Sequence, residues 1–372
     1  MDLMVQKIAI IGGGIVGSTA AYYLSQGEYA NFEVSMFDEG IGQATKAAAG
    51  IISPWLSKRR NKKWFRLASD GAELVAKIAQ ETKMNDDAYA NNGTIITRKN
   101  KESLDELYKI ALEREKNNPQ MGSVQYISKD EIKNLIPIIK NSPYDGLFVP
   151  GGSRIDGNLY CQHLLNIAMK RNLSIYKGKV KLINDNQILY KGKIFTFDKI
   201  ILATGAWSKE ILANLKINLN LRPQKGQLIE LRIANNEFIN KMPVMMPESE
   251  YDFIPVGREK LIIGATHDND QGFDLKHEKS VDIALVKTAN NLINNVKAND
   301  IILSKVGTRA YTDDFSPFLG MIPGHPSLFI GTGLGSSGLT TGPIVSKLIV
   351  DLIKNKKIDL NQYQKPISTY IN

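Results

Sequence analysis

The chain has 372 residues, 43% hydrophobic and 23% charged, with a formal net charge of +9. These values describe an ordinary globular protein long enough for two domains with substantial cores, and they exclude a disordered or fibrous chain. A single cysteine, Cys161, excludes an internal disulfide and a cysteine-cluster metal site, and no other metal-ligand spacing is present. Lys, Asn and Ile are abundant throughout, so the positive charge reads as compositional and nucleic acid is not the expected partner. No signal peptide precedes the first apolar run, and no membrane span is expected, because the apolar stretch 328–353 is interrupted by glycines, Pro343 and Lys347. The expected location is cytoplasmic.

The first element, Ile8-Ala9-Ile10-Ile11, is too short for a helix and right for a strand buried on both faces. Gly12, Gly14 and Gly17 follow at G-x-G-x-x-G spacing, with Ile15 and Val16 between them, and a helix runs on through 18–26. The first glycine permits a tight turn, the second lets backbone approach a pyrophosphate, and the third brings helix close to strand. The helix start offers N–H groups and a positive dipole end to the phosphates. A second strand over 33–37 ends at Asp38 and Glu39, and the Asp38 carboxylate is placed to accept ribose hydroxyls. An acid rather than an arginine at 38 disfavours a 2′-phosphate. The motif alone leaves NAD and FAD open.

Next comes a row of small residues, Gln43 to Ile52, suited to lying against something flat or to opening a helix packed on the sheet. The basic run Lys58 to Lys63 reads as a solvated loop or a lid, and a helix follows over 64–81. A strand is expected over 94–97 and an amphipathic helix over 101–116. Ser128 and Glu131 form a capping box for a short helix ending before Pro137. Strand character resumes over 146–150. Asp156 caps a helix over 158–170 that carries Leu159, Leu164, Leu165 and Ala168 inward. Short strands follow over 173–176, 179–183, 188–190, 194–197 and 199–203, the last ending in Thr204-Gly205-Ala206-Trp207. Strands over 226–232, 251–256 and 260–265 suit an antiparallel sheet, followed by a helix over 282–295 and a strand over 301–311. A buried strand over 328–330 then leads through the glycine-rich turn 331–343 into a helix over 344–354, with Pro343 in its first turn. Such a turn points N–H groups at an acceptor, for which a flavin ring edge is one candidate.

With these blocks in hand, the sequence resembles the D-amino-acid oxidase superfamily of FAD-dependent amine oxidoreductases, in its glycine oxidase and sarcosine oxidase-like branch. The resemblance rests on Ile10-Ile11-Gly12-Gly13-Gly14-Ile15-Val16-Gly17, Ala47-Ala48-Ala49-Gly50, Ala203-Thr204-Gly205-Ala206-Trp207 and Leu261-Ile262-Ile263-Gly264-Ala265-Thr266. Gly307-Thr308-Arg309 and the run Gly335 to Pro343 complete it. It implies an α/β protein with a Rossmann-like parallel-sheet FAD domain over 1–83, 146–212 and 316–372. A substrate domain with a mixed or antiparallel sheet would occupy 84–145 and 213–315.

Carried onto this chain, the resemblance puts Gly12, Gly14 and Gly17 on the pyrophosphate and Asp38 on the ribose. Thr45, Lys46, Ala48, Ala49, Gly50 and Ile51 would lie along the flavin, and Val180 would meet the adenine. Thr204, Gly205 and Trp207 would stand near the adenosine half, and Gly335, Ser336, Ser337, Gly338, Leu339 and Thr340 would meet the isoalloxazine. Arg309 matches the arginine that grips the substrate carboxylate. Glycine-oxidase-like members carry a second arginine where this chain has Ser336, and their active-site tyrosine falls at or beside Asp252, leaving Tyr251 as the stand-in. The cofactor implied is noncovalent FAD, since no cysteine stands in the C-terminal third. The implied activity is oxidation of the C–N bond of a small amino acid or secondary amine to an imine, by hydride transfer to flavin N5 and then hydrolysis. Electrons would pass to O2 or another acceptor. Two other readings remain: a flavoenzyme acting on an aminomethyl group of modified tRNA, and a flavin-binding partner protein without turnover.

Overall fold

A computed structural model describes residues 5–27, 32–140, 142, 144–233, 239–249, 251–293 and 295–371. Its organising element is the strand Gln6–Ile11, whose alternation divides the core. Ile8 and Ile10 bury into one apolar cluster, Ala9 and Ile11 into another on the opposite face. Each fully buried isoleucine contributes roughly 1.5–3 kcal/mol. The strand lies inside a six-stranded sheet ordered Phe318–Ile322, His325–Thr332, Lys199–Leu202, Gln6–Ile11, Phe32–Asp38 and Leu173–Lys177. All neighbours are parallel except the hairpin of Phe318–Ile322 with His325–Thr332. The helices Ile15–Leu24, Lys62–Glu81, Gly157–Met169 and Gly338–Ile353 supply the first cluster. A three-stranded meander, Lys181–Asn184, Gln187–Tyr190 and Lys193–Thr196, covers the other face, where Phe37 stacks on Tyr176 at 5.0 Å and meets Tyr190 edge-on.

A second, eight-stranded mixed sheet runs Ile301–Tyr311, Arg222–Arg232, Lys260–Gly264, Asp252–Val256, Val244–Met246, Thr94–Thr97, Gly146–Val149 and Gln125–Ile127. Its outer face packs on the helices Lys129–Leu135 and Lys279–Leu292 through Ile132, Leu285 and Ala289. Its inner face presents Leu228, Ile254 and Ile262 to Ala49, Ile51 and Ala265. This sheet roofs the carboxyl ends of the parallel strands.

The structure corrects four details. Gly146–Val149, expected with the parallel sheet, pairs with Thr94–Thr97 and Gln125–Ile127 in the roof. Leu159 is exposed, while its neighbours Tyr160 and Cys161 are buried. Asp156 does cap that helix, accepting from the N–H groups of Asn158 and Leu159 at 2.9 Å. The last long helix begins at Gly338, so Pro343 sits inside it. Its start is drawn in because Gly342 packs directly on Ile15, where a Cβ would come within 2.6 Å of Cγ2. Finally, the helix expected over 282–295 spans Lys279–Leu292, and Asn294 lies outside the described residues.

Candidate functional site

Between the parallel sheet and its roof lies a cavity of about 1150 Å3. Ligand clefts commonly measure roughly 300–1,000 Å3, so this one is large enough for an extended ligand such as a dinucleotide. Its position outside the carboxyl ends of parallel strands is where open α/β sheets bind ligands.

The glycine motif forms one wall. Gly12 has φ +103°, and a Cβ there would stand 2.4 Å from the Ala203 carbonyl oxygen, so no other residue fits without moving backbone. Gly17 does not reach the cavity; it lets the helix pass against Gly12, where a Cβ would come within 1.9 Å of the carbonyl oxygen. Gly14 caps the helix Ile15–Leu24 with no side chain to satisfy its first N–H groups. Thr45 Oγ1 accepts from the Ile15 N–H at 3.0 Å, tying the small-residue run to the motif. Asp38 accepts from the Gly13 N–H at 3.0 Å, and both its oxygens accept from Gln43 Nε2 at 2.8 Å. Gln43 is a partner that sequence reasoning had only as one of a row of small and polar residues. A helix start that opens on glycine, a glycine cradle and a strand-tip carboxylate fit a dinucleotide pyrophosphate and ribose.

Ile15, Val16 and Glu39 line the same wall, and Val180, Thr204, Gly205 and Trp207 line the cavity too. Ala48, Ala49, Gly50 and Ile51 face it beneath the roof, whereas Lys46 is exposed and lies outside it. The run is fixed from above: the Thr308 N–H donates to the Gly42 carbonyl at 3.1 Å, and Gly307 packs so closely that a Cβ would stand 2.7 Å from that of Ala47. Gly335, Ser336, Ser337, Gly338, Leu339 and Thr340 all line the cavity, at the start of the helix Gly338–Ile353.

On the roof, Arg309 reaches back across the neighbouring strand and lies over Gly226, where a Cβ would collide with the guanidinium at 2.6–2.8 Å. Its Nη1 donates to Gln224 Oε1 at 3.0 Å and to the Thr266 carbonyl at 2.9 Å. Among the described residues no carboxylate comes within ion-pair distance of it. Burial pushes the guanidinium below the usual arginine value, a desolvation that an anion entering the cavity would relieve.

Tyr251 does not reach this cavity. It packs against the apolar outer side of the roof and lines a separate cavity of about 670 Å3. Successive residues of an extended chain point to opposite faces, so its neighbour Asp252 takes the cavity side. Burial pushes the Asp252 carboxyl up to about 7. A folded value above the unfolded one means that the folded state keeps a proton the unfolded chain has released. The associated stability is therefore full below about pH 4 and is lost as pH rises to about 7. Asp252→Asn is expected to be more stable than the parent at pH 8, on the order of 2 kcal/mol, and equal to it near pH 4. Denaturant titrations at both pH values measure this; equal stability at pH 8 would place the Asp252 carboxylate in water.

Cys161 is buried behind the sheet, with its thiol pushed up to about 12 by desolvation, and takes no part in the cavity. No helix among the described residues is long and apolar enough to cross a membrane.

Comparison with known proteins agrees with this geometry. A family model described as FAD dependent oxidoreductase (DAO) matches residues 7–352. The uncharacterised oxidoreductase YurR of Bacillus subtilis is 31% identical over 365 residues, covering 95% of this chain and 97% of its own. The crystal structure of iminodiacetate oxidase from Chelativorans sp. BNC1 superposes with a TM-score of 0.87 at 27% identity, covering 98% of both chains. Glycine oxidase of Geobacillus kaustophilus gives a TM-score of 0.83 at 22% identity, over 96% of this chain and 98% of that one, a likeness of fold.

Proposed function

The chain belongs to the DAO family of FAD-dependent oxidoreductases, and from that premise we propose that it oxidises the C–N bond of a small amino acid or secondary amine whose carboxylate is held by Arg309. The observation that carries this reading is a desolvated guanidinium without a carboxylate partner among the described residues, seated on a glycine at the roof of the cofactor cavity. A guanidinium fork pairs a carboxylate bidentately, fixing both the position and the orientation of the carbon beside it. The glycine oxidase and iminodiacetate oxidase relatives, named for substrates that pair an amine with a carboxylate, support the same reading.

The division of labour follows the two sheets. Residues 1–83, 150–212 and 316–372 hold FAD; residues 84–149 and 213–315 hold the substrate, the boundary moved to 149 because Gly146–Val149 belongs to the roof. Gly12, Gly14 and the N–H groups of the first helix would hold the pyrophosphate, Asp38 the ribose, and the Gly335–Thr340 turn the flavin ring. FAD, when bound, supplies an acceptor for the hydride leaving the substrate carbon, and the imine that remains is hydrolysed by water. Arg309 orients the donor, Leu228, Ile254 and Ile262 keep the roof dry, and Asp252 Oδ accepts the amine N–H. Oxidation of this kind needs a neutral amine and a correct approach more than a strong protein base.

The test is anaerobic flavin reduction against glycine, sarcosine, L-proline, iminodiacetate and a set of D-amino acids. Bleaching by at least one carboxylate-bearing amine is expected, with the flavin released by acid precipitation. A flavin that none of them reduces would leave a binding protein without turnover.

A further inference from the structure

The basic run Lys58 to Lys63 contains one residue that behaves unlike its neighbours. Lys58 and Arg60 are exposed, whereas Arg59 turns inward, and burial pushes its guanidinium below the usual arginine value. Its Nη2 donates to Ser336 Oγ at 3.4 Å, and its guanidinium carbon lies 4.6 Å from the centre of the Trp64 ring. Trp64 is itself anchored, its indole N–H donating to Ser337 Oγ at 3.1 Å. Asn61 fixes the far end of the loop, capping the next helix through the Trp64 N–H and donating to Ser316 Oγ at 2.9 Å. Stacking on an indole face holds a guanidinium in place and leaves its edge donors free for a planar anion.

Arg59 and Arg309 line the same cavity, and both interact with Tyr311, whose hydroxyl accepts from the Ser336 N–H at 3.0 Å. Neither has a carboxylate within ion-pair distance among the described residues; a third cavity arginine, Arg98, is also desolvated, but there the charge of Glu248 opposes the effect of burial, whereas only Tyr311 does so for Arg59 and Arg309. Two desolvated guanidinium groups opening into one cavity are costly unless anions meet both. We propose that Arg59 is a second carboxylate-binding group and that the substrate is an amine bearing two carboxylates, one held by Arg309 and the other by Arg59. The inference rests on the proposed amine oxidation and narrows its substrate class. The second carboxylate sits either across the nitrogen, as in a secondary-amine diacid, or at the end of a side chain, as in an acidic amino acid.

The experiment compares the FAD-loaded parent, Arg59→Lys and Arg59→Leu. Anaerobic flavin reduction is followed with iminodiacetate, with D-aspartate and D-glutamate, and with the monocarboxylate sarcosine. In the parent, kcat/KM for the better dicarboxylate class is expected to exceed that for sarcosine at least tenfold, and the class that leads identifies where the second carboxylate sits. Arg59→Leu should shrink that ratio at least tenfold, chiefly through KM, with Arg59→Lys between. Calorimetry gives a readout apart from turnover: 2,2′-thiodiacetate, which has no nitrogen to oxidise, should lose at least tenfold in affinity in Arg59→Leu, and (methylthio)acetate less than threefold. If Arg59 only latches the loop over Ser336, both ligands and both substrate classes weaken alike, and that result overturns the inference. A parent that prefers sarcosine overturns it too, while leaving amine oxidation standing. A parent reduced by no amine overturns both.

Discussion

Replacing Arg309 by alanine is expected to slow flavin reduction by a carboxylate-bearing amine about 30- to 4,000-fold, equivalent to about 2–5 kcal/mol of transition-state binding. Most of that cost is the substrate carboxylate left desolvated and unpaired against the roof. Arg309→Lys keeps the charge but loses the fork, so an intermediate loss is expected. Gly226→Ala keeps the arginine but occupies its seat, since the new Cβ would fall within 2.8 Å of the guanidinium. It should show the same pattern in milder form. The discriminating measurement pairs an amino acid with its decarboxylated amine in each variant. The amine, having nothing for Arg309 to hold, should be nearly indifferent. Equal losses for both would make Arg309 a structural residue bound to Gln224 and Thr266, and would move the carboxylate grip elsewhere.

Gly12→Ala is expected to have the other large effect, on cofactor retention and on the fold together. At φ +103° an L-residue is strained by roughly 1–3 kcal/mol, and the added Cβ would stand 2.4 Å from a backbone oxygen that cannot rotate away. Either the turn opens, pulling the Gly13 N–H from Asp38, or the strand Lys199–Leu202 shifts. Both dismantle the cradle. Gly324→Ala is the control: its φ is +79° but nothing lies within 4 Å of the new Cβ, so it carries strain without collision and should cost about 1 kcal/mol. Flavin-to-protein ratio after gel filtration, with Tm, reads both variants. Full flavin occupancy in Gly12→Ala, at the Tm of the control, would show that the turn has slack that the contacts deny.

The dinucleotide half of the site was legible because its signals are local. Gly12, Gly14 and Gly17 act through the conformation and close approach of one strand–turn–helix unit, and Asp38 ends the next strand along. Apolar period and capping residues likewise placed the helix at Asp156 and the box at Ser128 and Glu131, all satisfied within a few residues of chain. Arg309 was legible only as part of a family pattern. Nothing near it in sequence announces the Gly226 seat, which comes from a strand more than eighty residues earlier.

Tertiary structure decided the remainder, and for one reason: these features depend on which face an element turns to a distant partner. Tyr251 and Asp252 are adjacent in the chain, yet an extended backbone sends one behind the roof and the other into the cavity, and a single step of register exchanges them. A run of six mostly basic residues carries no signal that Arg59 will turn inward between the exposed Lys58 and Arg60. That depends on Trp64 beneath it and on Ser336, 277 positions away, both brought together only when the last helix packs against the second. Packing of Gly342 on Ile15 of the first helix likewise carried the helix start to Gly338 and left Pro343 inside it. The sequence by itself determined that the glycine-rich end is a dinucleotide site; the packing of the roof and the basic loop over that end determined which charges face the cavity.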